Sequence, residues 1–226
     1  MKILAIDTTS ESAGIALKTG NGIRGRSFSA SGNHGRNLFP AVQEVLDESG
    51  VSIHDIDRIG CCVGPGSYTG IRITVTACTV LSRMCGPDIG AVTSLEALAW
   101  TARSEHGDAA TYAPLISAGN NICFHGVYSF DQHGPVCLSE PKRCDTDDIL
   151  AATPSDAVFT ALSRENWHPA GTVILPDKKK NLAYATAEIT AALPPQRRVG
   201  YADVYPVYLR DASITSRIKG KRPYGK

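Results

Sequence analysis

The first hundred residues carry an order of patterns that few folds can accommodate. Three short strand-like runs, residues 2–7, 13–18 and 22–29, open the chain, and the last two flank Gly20-Asn21-Gly22. Gly and Asn tolerate the positive φ of a tight hairpin, so these runs form an antiparallel meander. Residues 36–49 then place apolar side chains at 38, 39, 41, 42, 45 and 46 and stop at Gly50, the spacing of a helix with Pro40 in its first turn. An apolar strand at 58–63, a long helix at 67–85, a strand at 89–92 and a helix from 94 to about 103 follow. The order is β-β-β-α-β-α-β-α. Strands separated by helices join a sheet as parallel crossovers, whereas the meander stays antiparallel at one side.

A meander followed by crossovers is the order of the ribonuclease-H-like half-domain of sugar kinases, actin and their relatives. With 226 residues there is room for a second, smaller lobe. It starts near Gly107, where 110–117 and 123–130 read as strands, 145–152 and 182–192 as helices, and 204–209 as a last edge strand containing Pro206. The expected class is a two-lobed α/β fold of the actin/sugar-kinase type with a degenerate second lobe. Its lobes are expected at 1–106 and 107–209, with a basic tail at 210–226.

Charge narrows the functions. The formal net charge is +1, too small for a body built to bind nucleic acid. Residues 210–226 nevertheless hold six basic residues and one acidic one, an excess suited to a salt-sensitive contact with phosphates. The apolar run at the N-terminus stops at Asp7, so neither a signal peptide nor a membrane span is expected there, and the protein is expected in the cytoplasm. Seven cysteines without a C-x-x-C pair and six histidines without H-x-x-x-H suggest neither a disulfide framework nor a metal site.

Two segments could carry chemistry. Gly64-Pro65-Gly66-Ser67-Tyr68-Thr69-Gly70 lies between a strand and a helix. Pro65-Gly66 suits the centre of a type II turn and Ser67 an N-cap, and the free N–H groups of a helix start favour a phosphate or carboxylate. The segment lacks the Gly-Lys-Ser/Thr of a P-loop, and it reads equally well as a capped strand-to-helix turn. Asp7-Thr8-Thr9-Ser10 ends the first strand, where an Asp can hold hydrated Mg²⁺ and hydroxyls can meet phosphates. These are also ordinary turn residues.

In order along the chain, Ala5-Ile6-Asp7-Thr8-Thr9-Ser10, Asn33-His34-Gly35-Arg36-Asn37-Leu38-Phe39-Pro40, Gly64-Pro65-Gly66-Ser67-Tyr68-Thr69-Gly70-Ile71-Arg72-Ile73 and Pro206-Val207-Tyr208-Leu209-Arg210 resemble the TsaB (YeaZ) family. The resemblance implies a noncatalytic subunit with no catalytic or metal residues. Its implied partners are TsaD, which transfers threonylcarbamoyl to N6 of the tRNA adenosine 3′ of the anticodon, the ATPase TsaE in a ternary complex, and a second copy of itself. tRNA would be met indirectly. No cofactor is required, and weak ATP or ADP–Mg²⁺ binding at Asp7, Thr8, Thr9, Ser10, Gly64, Pro65, Gly66 and Ser67 would be vestigial. A small-molecule kinase or ATPase using Asp7 and the Gly64–Gly66 loop is the alternative. Two departures bear on it: Thr74 and Thr76 stand where the family usually has glycine, and Ser117-Ala118-Gly119 replaces Asp-Ala-Arg.

The first two helices of the first lobe have unusually wide apolar arcs, about 160° for the first at 100° per residue, which asks for cover on two sides. The resemblance implies that this cover is a partner's helix pair, so His34, Leu38, Val42, Val45, Ile71, Val75 and Cys78 are expected at the interface. Glu at 42 and 75 is then expected to abolish association and leave the chain folded.

Overall fold

A computed structural model describes residues 1–29, 34–119, 121–163, 168–176 and 181–209. The N-terminal meander is β1 (Ile3–Asp7), β2 (Ser12–Thr19) and β3 (Gly22–Ser29), with the two-residue loop Gly20-Asn21 joining β2 to β3. Helix α1 (His34–Ser49) leads to β4 (Arg58–Cys62), α2 (Tyr68–Cys85), β5 (Asp88–Val92) and α3 (Ser94–His106). Beyond it lie β6 (Tyr112–Gly119), β7 (Ile122–Asp131), β8 (Gly134–Asp145), β9 (Val158–Ala161), β10 (Val173–Ile174), α4 (Ala183–Ala192) and β11 (Arg198–Val199).

The strands make two sheets, ordered β11-β5-β4-β1-β2-β3 and β10-β9-β6-β7-β8. Leaving β11 aside, each sheet has the order third-second-first-fourth-fifth, with an antiparallel meander on one side and parallel strands on the other. The second lobe thus repeats the first topologically. It is degenerate where the crossovers run: a 3₁₀ turn at Thr146–Asp148 stands where α1 stands in the first lobe, and β10 is only two residues long.

Alternating side chains along β1 divide the first core. Leu4 and Ile6 pack with Leu38, Val42, Val45, Ile71 and Cys78 beneath α1 and α2, while Ile3 and Ala5 pack with Ala183 and Ala187 of α4 on the opposite face. Small residues let the alanine-rich α4 sit close to the sheet, and a Cβ at Gly60 would press on Thr190 at 2.9 Å. Helix α3 packs on the second lobe, its Leu95, Ala99 and Ala102 clustering with Tyr112 and Tyr128. Each lobe's last helix therefore covers the other lobe's sheet.

Several expected boundaries change accordingly. Residues 183–199 return to the first sheet, so the two lobes are not the successive stretches 1–106 and 107–209. Helix α1 starts at His34, which puts Pro40 inside it rather than in its first turn. No α-helix forms over 145–152, since the turn after Thr146 runs into Pro154. Residues 204–209 form no ladder; Val207 donates its N–H to Val63 O at 2.8 Å, and Pro206 has no N–H to continue the pairing. Strand β8, with Pro135 and Pro141 among charged residues, carries no strand-like pattern in sequence. The tail 210–226 lies outside the described residues. None of the described helices is long and apolar enough to cross a membrane.

Candidate functional site

A cleft of about 950 Å³ opens between the lobes, lined on one side by Thr9, Ser10, Gly66 and Ser67 and on the other by Leu115, Ser117, Ala161 and Ser163. Of the eight residues expected around a phosphate, four line this cleft; Asp7, Thr8, Gly64 and Pro65 do not. Asp7 and Thr8 are fully buried.

The loops that would cradle phosphates are instead closed on one another. Ser67 donates its N–H to Thr9 O at 2.7 Å, and its hydroxyl caps α2 by accepting from Gly70 N at 3.2 Å. A Cβ at Gly66 would collide with the Thr9 carbonyl oxygen, and one at Gly70 with that of Thr8. The segment is a bend with a cis Gly64–Pro65 bond, not the expected type II turn. Thr8 is held by α2: its N–H donates to Thr74 Oγ1 at 2.9 Å, its hydroxyl donates to Gly70 O at 2.7 Å, and the two threonine hydroxyls lie 2.8 Å apart. Thr74, one of the departures from glycine, thereby occupies a turn N–H that a phosphate would need.

Asp7 is equally unavailable. Its Oδ1 accepts from Thr9 N at 2.8 Å and Thr9 Oγ1 at 2.6 Å, while Oδ2 is buried without a hydrogen-bond partner. Burial raises its pKa against the opposing Thr9 hydrogen bonds. Thr9 Oγ1 also meets Ser94 Oγ at 2.9 Å, which ties the turn to the start of α3. A carboxylate sealed in this way does not fit a Mg²⁺ ion that bridges phosphates in a cleft. No group of three or more metal-binding side chains occurs among the described residues.

The second surface is the outer face of the α1–α2 pair. Leu38, Val42, Val45, Ile71, Val75 and Cys78 are all between 0 and 8% exposed and belong to the core beneath α1 and α2, and of the six only Leu38 also lines a groove between these helices. His34 opens α1, and its side chain is outside the described set. The width of the apolar arcs is real, but the sheet takes the middle of each arc. What remains in solvent is the edge: Phe39 is 49% exposed, Val80 42% and Met84 74%. Between the helices Phe39, Thr69, Ile73, Thr76 and Val80 line an apolar groove of about 530 Å³. Tyr68 stacks on Tyr208 with ring centroids 5.0 Å apart, Arg72 lies over Tyr68, and Arg83 lies over Tyr201, forming an aromatic and cationic rim. An apolar centre with a Tyr/Arg rim is the anatomy of a protein–protein contact. The pattern of i, i+4, i+7 and i+11 at 69, 73, 76 and 80 was available in sequence, but which stripe faces the sheet was not.

Comparison with known proteins identifies the family. Residues 8–137 match the family described as TsaD: tRNA N6-adenosine threonylcarbamoyltransferase. The chain is 30% identical to the tRNA threonylcarbamoyladenosine biosynthesis protein TsaB of Escherichia coli strain K12 over 98% of this chain and 100% of that protein. It is 35% identical to the protein of the same name from Bacillus subtilis strain 168 over 58% of this chain and 56% of that one. The solved structure of YeaZ from Pseudomonas aeruginosa superimposes with a TM-score of 0.76 at 26% identity, covering 92% of this chain and 99% of that one. With a full-length relative at that identity and a fold of two repeated α/β lobes, the chain belongs to the TsaB (YeaZ) family of tRNA threonylcarbamoyladenosine biosynthesis proteins.

Proposed function

We propose that this chain is a noncatalytic subunit that binds a TsaD-type transferase through the α1–α2 face and supports transfer of threonylcarbamoyl to N6 of the tRNA adenosine 3′ of the anticodon. The observation that carries this reading is the exposed apolar strip of Phe39, Val80 and Met84 beside a groove with a tyrosine and arginine rim. Burying that strip against a second helix pair removes apolar surface from water, which favours association without any chemistry in this chain. The same face would serve a homodimer when the transferase is absent, since an isologous contact uses one patch twice. The ATPase TsaE would join the assembled pair, tRNA would be held mainly by the partner, and the complex would work in the cytoplasm.

The self-closed loops around Asp7 and Thr74 support a subunit that needs no nucleotide of its own. They disfavour a kinase or ATPase, which requires a reachable carboxylate for Mg²⁺ and free N–H groups for phosphate. Reconstitution tests the proposal: tRNA, TsaD, TsaE and threonylcarbamoyl-adenylate are combined with and without this chain. Modification that depends on the chain is the expected result, and equal modification in its absence refutes it.

A further inference from the structure

Strands β7 and β8 bring two of the seven cysteines face to face. Cys123 and Cys144 are direct cross-strand partners, and their sulfurs lie 3.5 Å apart. Opposite residues on antiparallel strands hold their Cβ atoms about 4.5–5.5 Å apart, close to the separation of about 3.5–4.5 Å in disulfides. Bonding the sulfurs at about 2.0 Å requires a local approach of the strands and no change of register. Strand β8 can make that approach, because it is an edge strand whose one ladder partner among the described strands is β7, and the β7–β8 ladder already slips register between His125 and Tyr128.

We propose that Cys123 and Cys144 form a modification site, a dithiol that low-molecular-weight disulfides convert reversibly to an intramolecular disulfide. The two sulfurs differ in access. Cys144 is half-buried at the edge of the sheet, whereas Cys123 is sealed in a cluster with Leu115, Ile149 and Ala161. Burial and the neighbouring Cys144 push the Cys123 thiol up, which keeps it protonated and inert by itself. Cys144 is therefore the entry point. Its thiolate attacks one sulfur of oxidised glutathione and releases one glutathione thiolate, leaving a mixed disulfide. Cys123 passes its proton to the released thiolate, attacks the Cys144 sulfur and displaces the second glutathione. The two protein thiols lose two electrons, and the glutathione disulfide gains them. The other buried thiols, Cys61, Cys62 and Cys78, are closed to such a reagent, and exposed Cys137 is paired across the ladder with Tyr128. Leu115 and Ala161 of the same cluster also line the cleft between the lobes, so the bond would form directly beneath one cleft wall.

The test uses the full chain carrying Cys137→Ser, which leaves one cysteine in the tryptic fragment containing Cys123. The folded protein is equilibrated with defined ratios of reduced and oxidised glutathione, quenched with acid, and examined by intact mass and peptide mapping. The expected product has lost two hydrogen atoms and two free thiols, contains a peptide linking Cys123 to Cys144, and returns to the starting mass under reduced glutathione. Adding Cys144→Ser should abolish all of these changes, and circular dichroism establishes that this variant is folded. A lasting glutathione adduct on Cys144 with Cys123 still free overturns the proposal, as does a linkage through any other pair or an unreacted folded chain.

Discussion

Replacing Phe39, Val80 and Met84 together by Gln separates docking from folding. Full burial of one such side chain stabilises by about 1.5–3 kcal/mol. With 49%, 42% and 74% of their surfaces still exposed, the three together retain about 2.5–5 kcal/mol for a partner to recover. Each 1.4 kcal/mol is tenfold, so Kd for a TsaD-type partner should rise roughly 100- to 1,000-fold or more. Gln is a good helix former at exposed positions, and surface changes of this kind usually move stability by no more than about 0.5 kcal/mol each. The assay pairs isothermal titration against the partner with thermal unfolding of the variant alone. An unchanged Kd in a variant with an unchanged Tm would refute the assignment of this face. A large fall in Tm would refute the claim that these side chains lie outside the monomer's core.

The opposite result is expected at the buried stripe: Val42→Glu with Val75→Glu places two carboxylates under the helices and should cost on the order of 4 kcal/mol or more, seen as a loss of cooperative unfolding in the monomer rather than a clean loss of association. At Asp7, desolvation raises the folded pKa above 3.8, so its contribution to stability is largest below about that pH and is lost as pH rises through the raised value. Asp7→Asn keeps the acceptor for Thr9 and should flatten this part of the profile; denaturant unfolding of both proteins across the range measures it, and parallel curves would contradict the desolvation argument. Thr74→Val leaves the Thr8 N–H without its acceptor and should destabilise by about 1–3 kcal/mol, while Thr74→Ser should cost less because the hydroxyl is kept; equal losses in the two variants would show that the hydrogen bond contributes nothing.

The first lobe was legible in sequence because each of its elements is locally consistent. The Gly20-Asn21 loop, the short strand-like runs around it, the Ser67 cap and the helical periodicities all point to the same architecture. The second lobe was less legible because its strands draw on partners distant in sequence: β8 has prolines and charges that suit an exposed edge, and β9 and β10 are short parallel strands placed by β6. Family motifs also located the two loops of the cleft. They gave no indication that Thr74, a full turn into α2, would fill one of them, since that depends on how α2 lies against the end of β1.

Sequence alone therefore determined the order of elements, the family and the presence of two helices too apolar to have a single covered side. Tertiary structure decided which stripe of each helix meets the sheet. It thereby buried Val42 and Val75 in the core and left Phe39, Val80 and Met84 in solvent. The reason is geometric: periodicity fixes the angular width of an apolar face, but its zero angle is set only when the helix packs. The same holds for Cys123 and Cys144, twenty-one residues apart in the chain and brought opposite each other by strand register.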